Sequence, residues 1–278
     1  MDLATCSLNS ITVKEAPLPQ LIALAAEHGF GGVGLWRDTY ADAGVTKAGR
    51  RIQEAGLTVS SVCRGGMFPQ PTAALRAERL ADNRRAVAEA HALDADCLVL
   101  VGGPAYDRDL AGARAQIADG IAELIPEAAA AGVRLAVEPF HPMMAADRSA
   151  ITSFTEANDL VERLASPWVG LTLDSYHLWW DAALADQMRR AADTVMSVQL
   201  ADWVLPIHGQ LSSRGMPSEG CIDLAGFVQL AHGCGYRGLV EVEVLSDRWW
   251  ATDPAEATRV AAAALQAMPA PTSARVSS

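Results

Sequence analysis

The chain has no CxxC pair and no even, patterned cysteine set; Cys6, Cys63, Cys97, Cys221 and Cys234 are scattered along it. That excludes a disulfide-stapled scaffold and sets the expectation of reduced thiols in a cytoplasmic compartment. Long hydrophobic runs are missing as well: none approaches the ~20 residues a membrane helix needs. The opening Met-Asp-Leu-Ala-Thr lacks the basic stretch and apolar core of a signal peptide, so no membrane partner is expected. Positive charge is short, with a net charge of −11. An acidic chain of this kind is a poor binder of nucleic acid or anionic membrane. Finally, no Gly-rich phosphate loop follows the first apolar run, and no low-complexity segment or extra internal repeat is visible.

What is present is 278 residues, half of them hydrophobic, enough for one large α/β domain. Eight short strand-like runs fall near residues 3–8, 32–36, 57–63, 96–101, 133–138, 169–174, 195–201 and 239–245. Ala-rich helical stretches such as Leu18–His28, Ala73–Leu93, Ala111–Ala131 and Pro254–Ala267 separate them. Gly29, Gly56, Gly132 and Gly235 stand where helices should stop. Continuous alternation means parallel strands covered by helices, and eight units in about 250 residues is the size of a (β/α)8 TIM barrel. The alternative, an open doubly wound sheet, usually carries the phosphate loop that is missing here. A single barrel domain is expected over residues 1–267, with residues 268–278 as a flexible, proline-bearing tail.

Four polar residues end apolar runs in the second half of the chain. Glu138 ends Val-Arg-Leu-Ala-Val-Glu, Asp174 ends Val-Gly-Leu-Thr-Leu-Asp, Gln199 lies late in Val-Met-Ser-Val-Gln-Leu, and Glu243 lies late in Leu-Val-Glu-Val-Glu-Val-Leu. Carboxylates on buried strands are costly unless something pairs with them. Side chains alternate along a strand, so Glu138 shares its face with Ala136, and Asp174 with Thr172. Bulky Leu135, Val137, Leu171 and Leu173 take the opposite, helix-packed face. Chemistry in such barrels sits at the C-terminal strand ends, where these four residues lie, on four consecutive staves. Oxygen-only ligands suit a hard divalent cation, Mn2+ foremost, with Mg2+ or Co2+ as alternatives. Such a site could polarise a carbonyl and stabilise an enediolate, with Glu138 and Glu243 as acid and base. That chemistry is aldose–ketose isomerisation or epimerisation of a small sugar or keto-sugar. The bland alternative for any one strand-end carboxylate is a cap or an ion pair. Glu241, on Glu243's face but deeper, is expected to be an ion-pair partner, with Arg134 as the candidate cation.

Loop residues complete the candidate site. His141 and His177 each follow a candidate ligand by three residues and are candidate catalytic groups. Trp36, Arg64, Asp202 and Arg214 are candidate substrate-binding residues: Trp36 as a stacking face, Arg64 as a cation on the opposite rim, Arg214 on the long loop after the seventh run as a partner for a substrate hydroxyl or acidic group, and Asp202, three residues after Gln199, as a group supporting the ligands. Arg37 is a second candidate for the rim.

The chain resembles the xylose isomerase-like TIM-barrel superfamily of sugar-phosphate isomerases and epimerases, from Gly-Leu-Trp-Arg (34–37) to Val-Glu-Val-Leu-Ser-Asp (242–247). Val137-Glu-Pro, Leu173-Asp-Ser-Tyr-His, Val198-Gln-Leu-Ala-Asp and Gly235-Tyr-Arg-Gly-Leu-Val-Glu-Val-Glu-Val carry the match. The resemblance implies that Glu138, Asp174, Gln199 and Glu243 bind one divalent metal. Many members carry His at the third place, and Gln199 moves this chain away from the ketose 3-epimerases. Glu-Pro-Phe-His-Pro-Met, Asp-Ser-Tyr-His-Leu-Trp-Trp-Asp and Ser-Arg-Gly-Met-Pro look like members acting on 3-keto-glycosides, which implies His141 as an acid–base group. Ser218-Glu219-Gly220 departs from the Gly-Asp-Gly usual there. Two alternatives stay open: a lyase or dehydratase on the same site, and a non-catalytic sugar-binding or regulatory barrel. A DNA-cutting zinc enzyme of the same fold would need a histidine-rich cluster that six scattered histidines do not supply. A homo-oligomer or a partner subunit also stays open.

Overall fold

In the computed structural model, which describes residues 1–272, ten strands follow one another along the chain. They are β1 (Cys6–Asn9), β2 (Gly32–Trp36), β3 (Thr58–Gly66), β4 (Leu98–Val101), β5 (Leu135–Glu138), β6 (Val169–Asp174), β7 (Val195–Leu200), β8 (Asp202–Trp203), β9 (Arg214–Gly215) and β10 (Val240–Val242). Eight of them close into a parallel barrel in the order β1-β10-β7-β6-β5-β4-β3-β2, while β8 and β9 form a separate antiparallel ribbon. The fold is therefore the expected (β/α)8 barrel, as a single domain.

The helices are α1 (Leu18–His28), α2 (Val45–Glu54), α3 (Ala73–Ala92), α4 (Leu110–Ala131), α5 (Phe154–Leu164), α6 (Ser175–Leu178), α7 (Leu184–Arg190), α8 (Leu224–Gly233), α9 (Asp247–Trp250) and α10 (Pro254–Ala267). Side-chain caps start many of them: Thr72 accepts from Leu75 N, Asp109 from Gly112 N, Ser153 from Glu156 N, and Asp223 from Gly226 N. Gly29 and Gly132 end α1 and α4 in the left-handed region, with φ of 84° and 70°.

Packing follows the alternation. Leu135, Val137, Leu171, Leu173, Val198 and Leu200 belong to the large core shared with the helices. Cys97, Val99, Ala136 and Met196 form a small separate cluster. The first strand begins later than expected, because Asp2 caps a 3-10 turn over Leu3–Thr5. At the other end, Met268 packs into the core and Thr272 N donates to Gln229 Oε1 at 2.7 Å. The rest of the expected tail, 273–278, lies outside the described residues.

Candidate metal centre and active site

The C-terminal ends of β5, β6, β7 and β10 carry Glu138, Asp174, Gln199 and Glu243 to one mouth of the barrel. Asp174 pairs in register with Gln199, and Gln199 with Glu241, two residues before Glu243. All four are buried, none more than 4% exposed.

Short contacts link the acids. Arg214, carried in by β9, places Nη1 2.7 Å from Asp174 Oδ2 and 3.5 Å from Glu243 Oε2. His177 sits on the short helix α6, whose first turn Asp174 itself caps through Tyr176 N. Its Nε2 lies 3.6 Å from both Glu138 Oε1 and Asp174 Oδ2. Glu138, Asp174 and His177 can each offer a ligand atom, all within 4.8 Å of one another. His177 is flanked by His141 N, 3.3 Å from Nδ1, and Arg214 Nη2, 3.2 Å from Nε2. A neutral imidazole has one acceptor nitrogen, so only one of these donors is satisfied at a time.

Three buried carboxylates share one guanidinium. Burial, then Asp174 and Glu243, push the Glu138 carboxyl well above its ordinary range. Burial raises Asp174 despite Arg214 beside it. Burial likewise pushes Glu243 up to about 8, against the pull of Arg214. Burial and Arg214 hold His177 well below the usual histidine value, so it is neutral. Burial opposes charge on Arg214, but the surrounding carboxylates outweigh it and hold the guanidinium protonated. The site holds more carboxyl groups than one guanidinium can pair.

Gln199 has a particular orientation. Its Nε2 donates to Glu241 Oε1 at 3.0 Å, while its Oε1 is buried without any hydrogen-bond partner. An unpartnered buried acceptor is uncommon and calls for an explanation. Glu241 fixes the arrangement. It accepts from Asn9 at 2.6 Å, Ser60 at 2.6 Å, Ser61 at 2.8 Å and Gln199. The expected ion pair with Arg134 is corrected here: Arg134 Nε donates to the Asp96 carbonyl instead, and four neutral donors hold Glu241. Its carboxylate lies against Gly34, where a Cβ would come within 2.5 Å of it.

Beside the acids lies a cavity of about 110 Å³, lined among others by Trp36, Arg64, Glu138, Arg148, Arg214 and Glu243. Trp36 contributes more than a ring face: its Nε1 donates to Glu243 Oε1 at 3.1 Å. Cys63 also lines the cavity, and burial raises its thiol well above the ordinary value, which leaves it unreactive. Asp202 is not among the lining residues. Its carboxylate accepts from Trp203, Gly220 and Ile222 N at 2.8, 2.9 and 3.0 Å, clamping the loop that carries Arg214. His141 lies back from the cavity, its ring 5.1 Å from that of Trp203 and 5.4 Å from that of Trp180. Arg37 is spent in ion pairs with Glu89 at 2.7 Å and Asp82 at 3.2 Å, not on the rim. Sequence reasoning missed Asn9 and Arg148. Asn9 could have been found as a polar residue at the tip of the first strand; Arg148 sits in an irregular loop with no periodic signal.

Comparison with known proteins places these observations. Residues 22–268 match the family model described as xylose isomerase-like TIM barrel. The crystal structure of protein SMc04130 from Sinorhizobium meliloti 1021 superposes with a TM-score of 0.92 at 38% identity, covering 95% of this chain and 98% of that one. The "Putative L-ribulose-5-phosphate 3-epimerase SgbU" of Escherichia coli (strain K12) is 28% identical over 204 residues, 70% of this chain and 69% of that protein. A 3-dehydroshikimate dehydratase of Pseudomonas aeruginosa is 33% identical over 147 residues, 50% of this chain but 22% of its own length.

Proposed function

The chain belongs to the xylose isomerase-like TIM-barrel family, and from that premise we propose that it is a divalent-metal-dependent sugar isomerase or epimerase. The observation that carries this reading is three buried carboxylates at the strand ends of one barrel mouth, together with a buried Gln199 whose Oε1 has no partner. The donor set fits a hard cation: all-oxygen, overcharged, and holding one acceptor that nothing in the protein satisfies. Glu138, Asp174, Gln199 and Glu243 would hold the ion, Mn2+ foremost. When bound, it supplies polarisation of a carbonyl and steadies the negative charge that develops on its oxygen.

The chain's own residues do the rest. Glu138 and Glu243 both line the cavity, so one takes the proton from the carbon beside the carbonyl and the other returns a proton. Arg214 and neutral His177 stand between the acids, as hydrogen-bond donors for substrate oxygens. The similarity to a protein named as a sugar-phosphate 3-epimerase supports this assignment.

A second reading, a lyase, is favoured by the similarity to a dehydratase over half the chain. Elimination begins with the same proton removal and then expels a leaving group. Proton NMR in D2O with a panel of keto-sugars separates the two. An epimerase or isomerase exchanges the α-proton and returns an intact sugar; a lyase loses a substituent. Glu138→Gln should reduce either reaction at least a hundredfold. Full turnover in that variant would remove Glu138 from the mechanism.

A further inference from the structure

The cavity has a second electrostatic side. Arg64, on β3, and Arg148, in the loop after β5, line the same space as Glu138 and Glu243, yet neither is neutralised by a well-placed acid. Among the described residues, Arg64 makes no ion pair or side-chain hydrogen bond, although it is half-buried. Burial lowers its pKa, and the Arg148 and Arg79 charges lower it further. The carboxylate whose charge acts on Arg64, Asp82, is already shared by Arg37 at 3.2 Å, Arg79 at 3.2 Å and Arg85 at 2.9 Å. Arg148 Nε is buried without a hydrogen-bond partner. Its nearest carboxylate, Asp147, is 3.6 Å away and half exposed. Arg214, 2.7 Å from Asp174 and 3.5 Å from Glu243, is the guanidinium that pairs with the acids directly. Two guanidinium groups thus converge on the cavity with donors to spare. Guanidinium forks match the planar or tetrahedral oxygens of carboxylates and phosphates.

We propose that Arg64 and Arg148 form an anion subsite, and that the substrate is a keto-sugar bearing a carboxylate or phosphate away from its reacting carbonyl. This rests on the proposed function for the carbonyl end of the substrate and adds the chemistry of the other end. The alternative, that the two arginines only balance the buried carboxylates, predicts a different pattern of variant effects.

The test uses full-length protein in two arms. In the first, manganese-loaded wild type, Arg64→Gln and Arg148→Gln are assayed for α-proton exchange in D2O with L-ribulose, L-ribulose 5-phosphate and D-fructuronate. Wild type should prefer one of the anionic sugars, and which one identifies phosphate or carboxylate. Each variant should raise KM for that sugar about ten- to hundredfold more than for neutral L-ribulose. Equal losses on neutral and anionic sugars, or no anionic preference in wild type, would overturn the subsite. In the second arm, inorganic phosphate and glycolate are titrated into metal-free protein by calorimetry. Binding that the double variant weakens about tenfold or more supports the subsite without turnover; no binding of either anion to wild type refutes it. Anion binding with no exchange of any sugar would instead sink the proposed function alone.

Discussion

Glu241 shows how one side chain sets the character of another. Four neutral donors surround its carboxylate, and one of them is the Gln199 amide. With Nε2 held there, Oε1 must point away from Glu241. A glutamine can replace histidine in such a set only if its amide is kept from flipping, so the acid behind it supports the proposed ligand. Glu241→Gln brings an amide N–H among groups that already donate. Manganese affinity, read by calorimetry, should fall about tenfold, and stability about 1–3 kcal/mol; unchanged affinity would mean that Gln199 is oriented by something else. Glu243 allows a signed pH prediction. Its folded pKa is raised, to about 8, so the proton-bound folded form is favoured. The stability it contributes in the metal-free protein is complete below the unfolded pKa and is lost as pH rises through about 8. Glu243→Gln mimics the protonated group. Its Tm relative to metal-free wild type should therefore climb as pH rises toward about 8 and level off above it; a pH-independent difference would contradict the burial argument. The four strand-end residues were legible because an acid or amide late in an apolar run breaks a rule that the rest of the run obeys. The partners of Glu241 were not, because Asn9, Ser60 and Ser61 are ordinary polar residues until the barrel closes around them.

At the scale of elements, the excursion between β7 and α8 delivers Arg214 to the acids. Its β8–β9 ribbon is only two residues per strand, too short to hold itself. Asp202 supplies the missing constraint by accepting three backbone N–H groups across the loop. Gly220 is compressed against the same clamp, with a Cβ placed 2.2 Å from Trp203 O. Asp202→Ala should lower stability by about 1–2 kcal/mol, leaving three part-buried N–H groups without their acceptor. It should also depress proton exchange more than its distance from the cavity suggests, because Arg214 loses its support. Wild-type exchange rates in a folded Asp202→Ala protein would show that the clamp does not position Arg214. Sequence reading placed Asp202 near the site by its spacing from Gln199, yet spacing could not show that its carboxylate turns back onto its own loop. The helices α6 and α9 are four residues each, too short for a periodic signal, and they went unanticipated. Longer helices, by contrast, announced themselves through Ala-rich runs and glycine stops.

At the scale of the whole molecule, eight alternating units fixed the barrel, and the barrel fixes where strand ends converge. A chain with five free cysteines among its described residues has no covalent staple, and no described helix is long and apolar enough to cross a membrane. Metal binding should then be a large global stabiliser: at 100 times the dissociation constant, a bound ion adds about 2.7 kcal/mol. Excess Mn2+ should raise Tm by several degrees, and EDTA should reverse it. Affinity should strengthen as pH rises from 6 to 8, since bound protons must leave three carboxyls before the ion can be held. Calorimetry in buffers of different ionisation enthalpy would count those protons.

The account stands on one divalent ion held by Glu138, Asp174, Gln199 and Glu243 and used for proton transfer beside a carbonyl. Titrating Mn2+ into metal-free protein while following α-proton exchange of a responsive keto-sugar in D2O tests that most directly. Exchange should rise from a low baseline to a plateau at one equivalent of metal, and Glu138→Gln, Asp174→Asn and Glu243→Gln should abolish the rise. Exchange that proceeds at full rate in EDTA, or a protein that binds no Mn2+ while the sugar still exchanges, would contradict it.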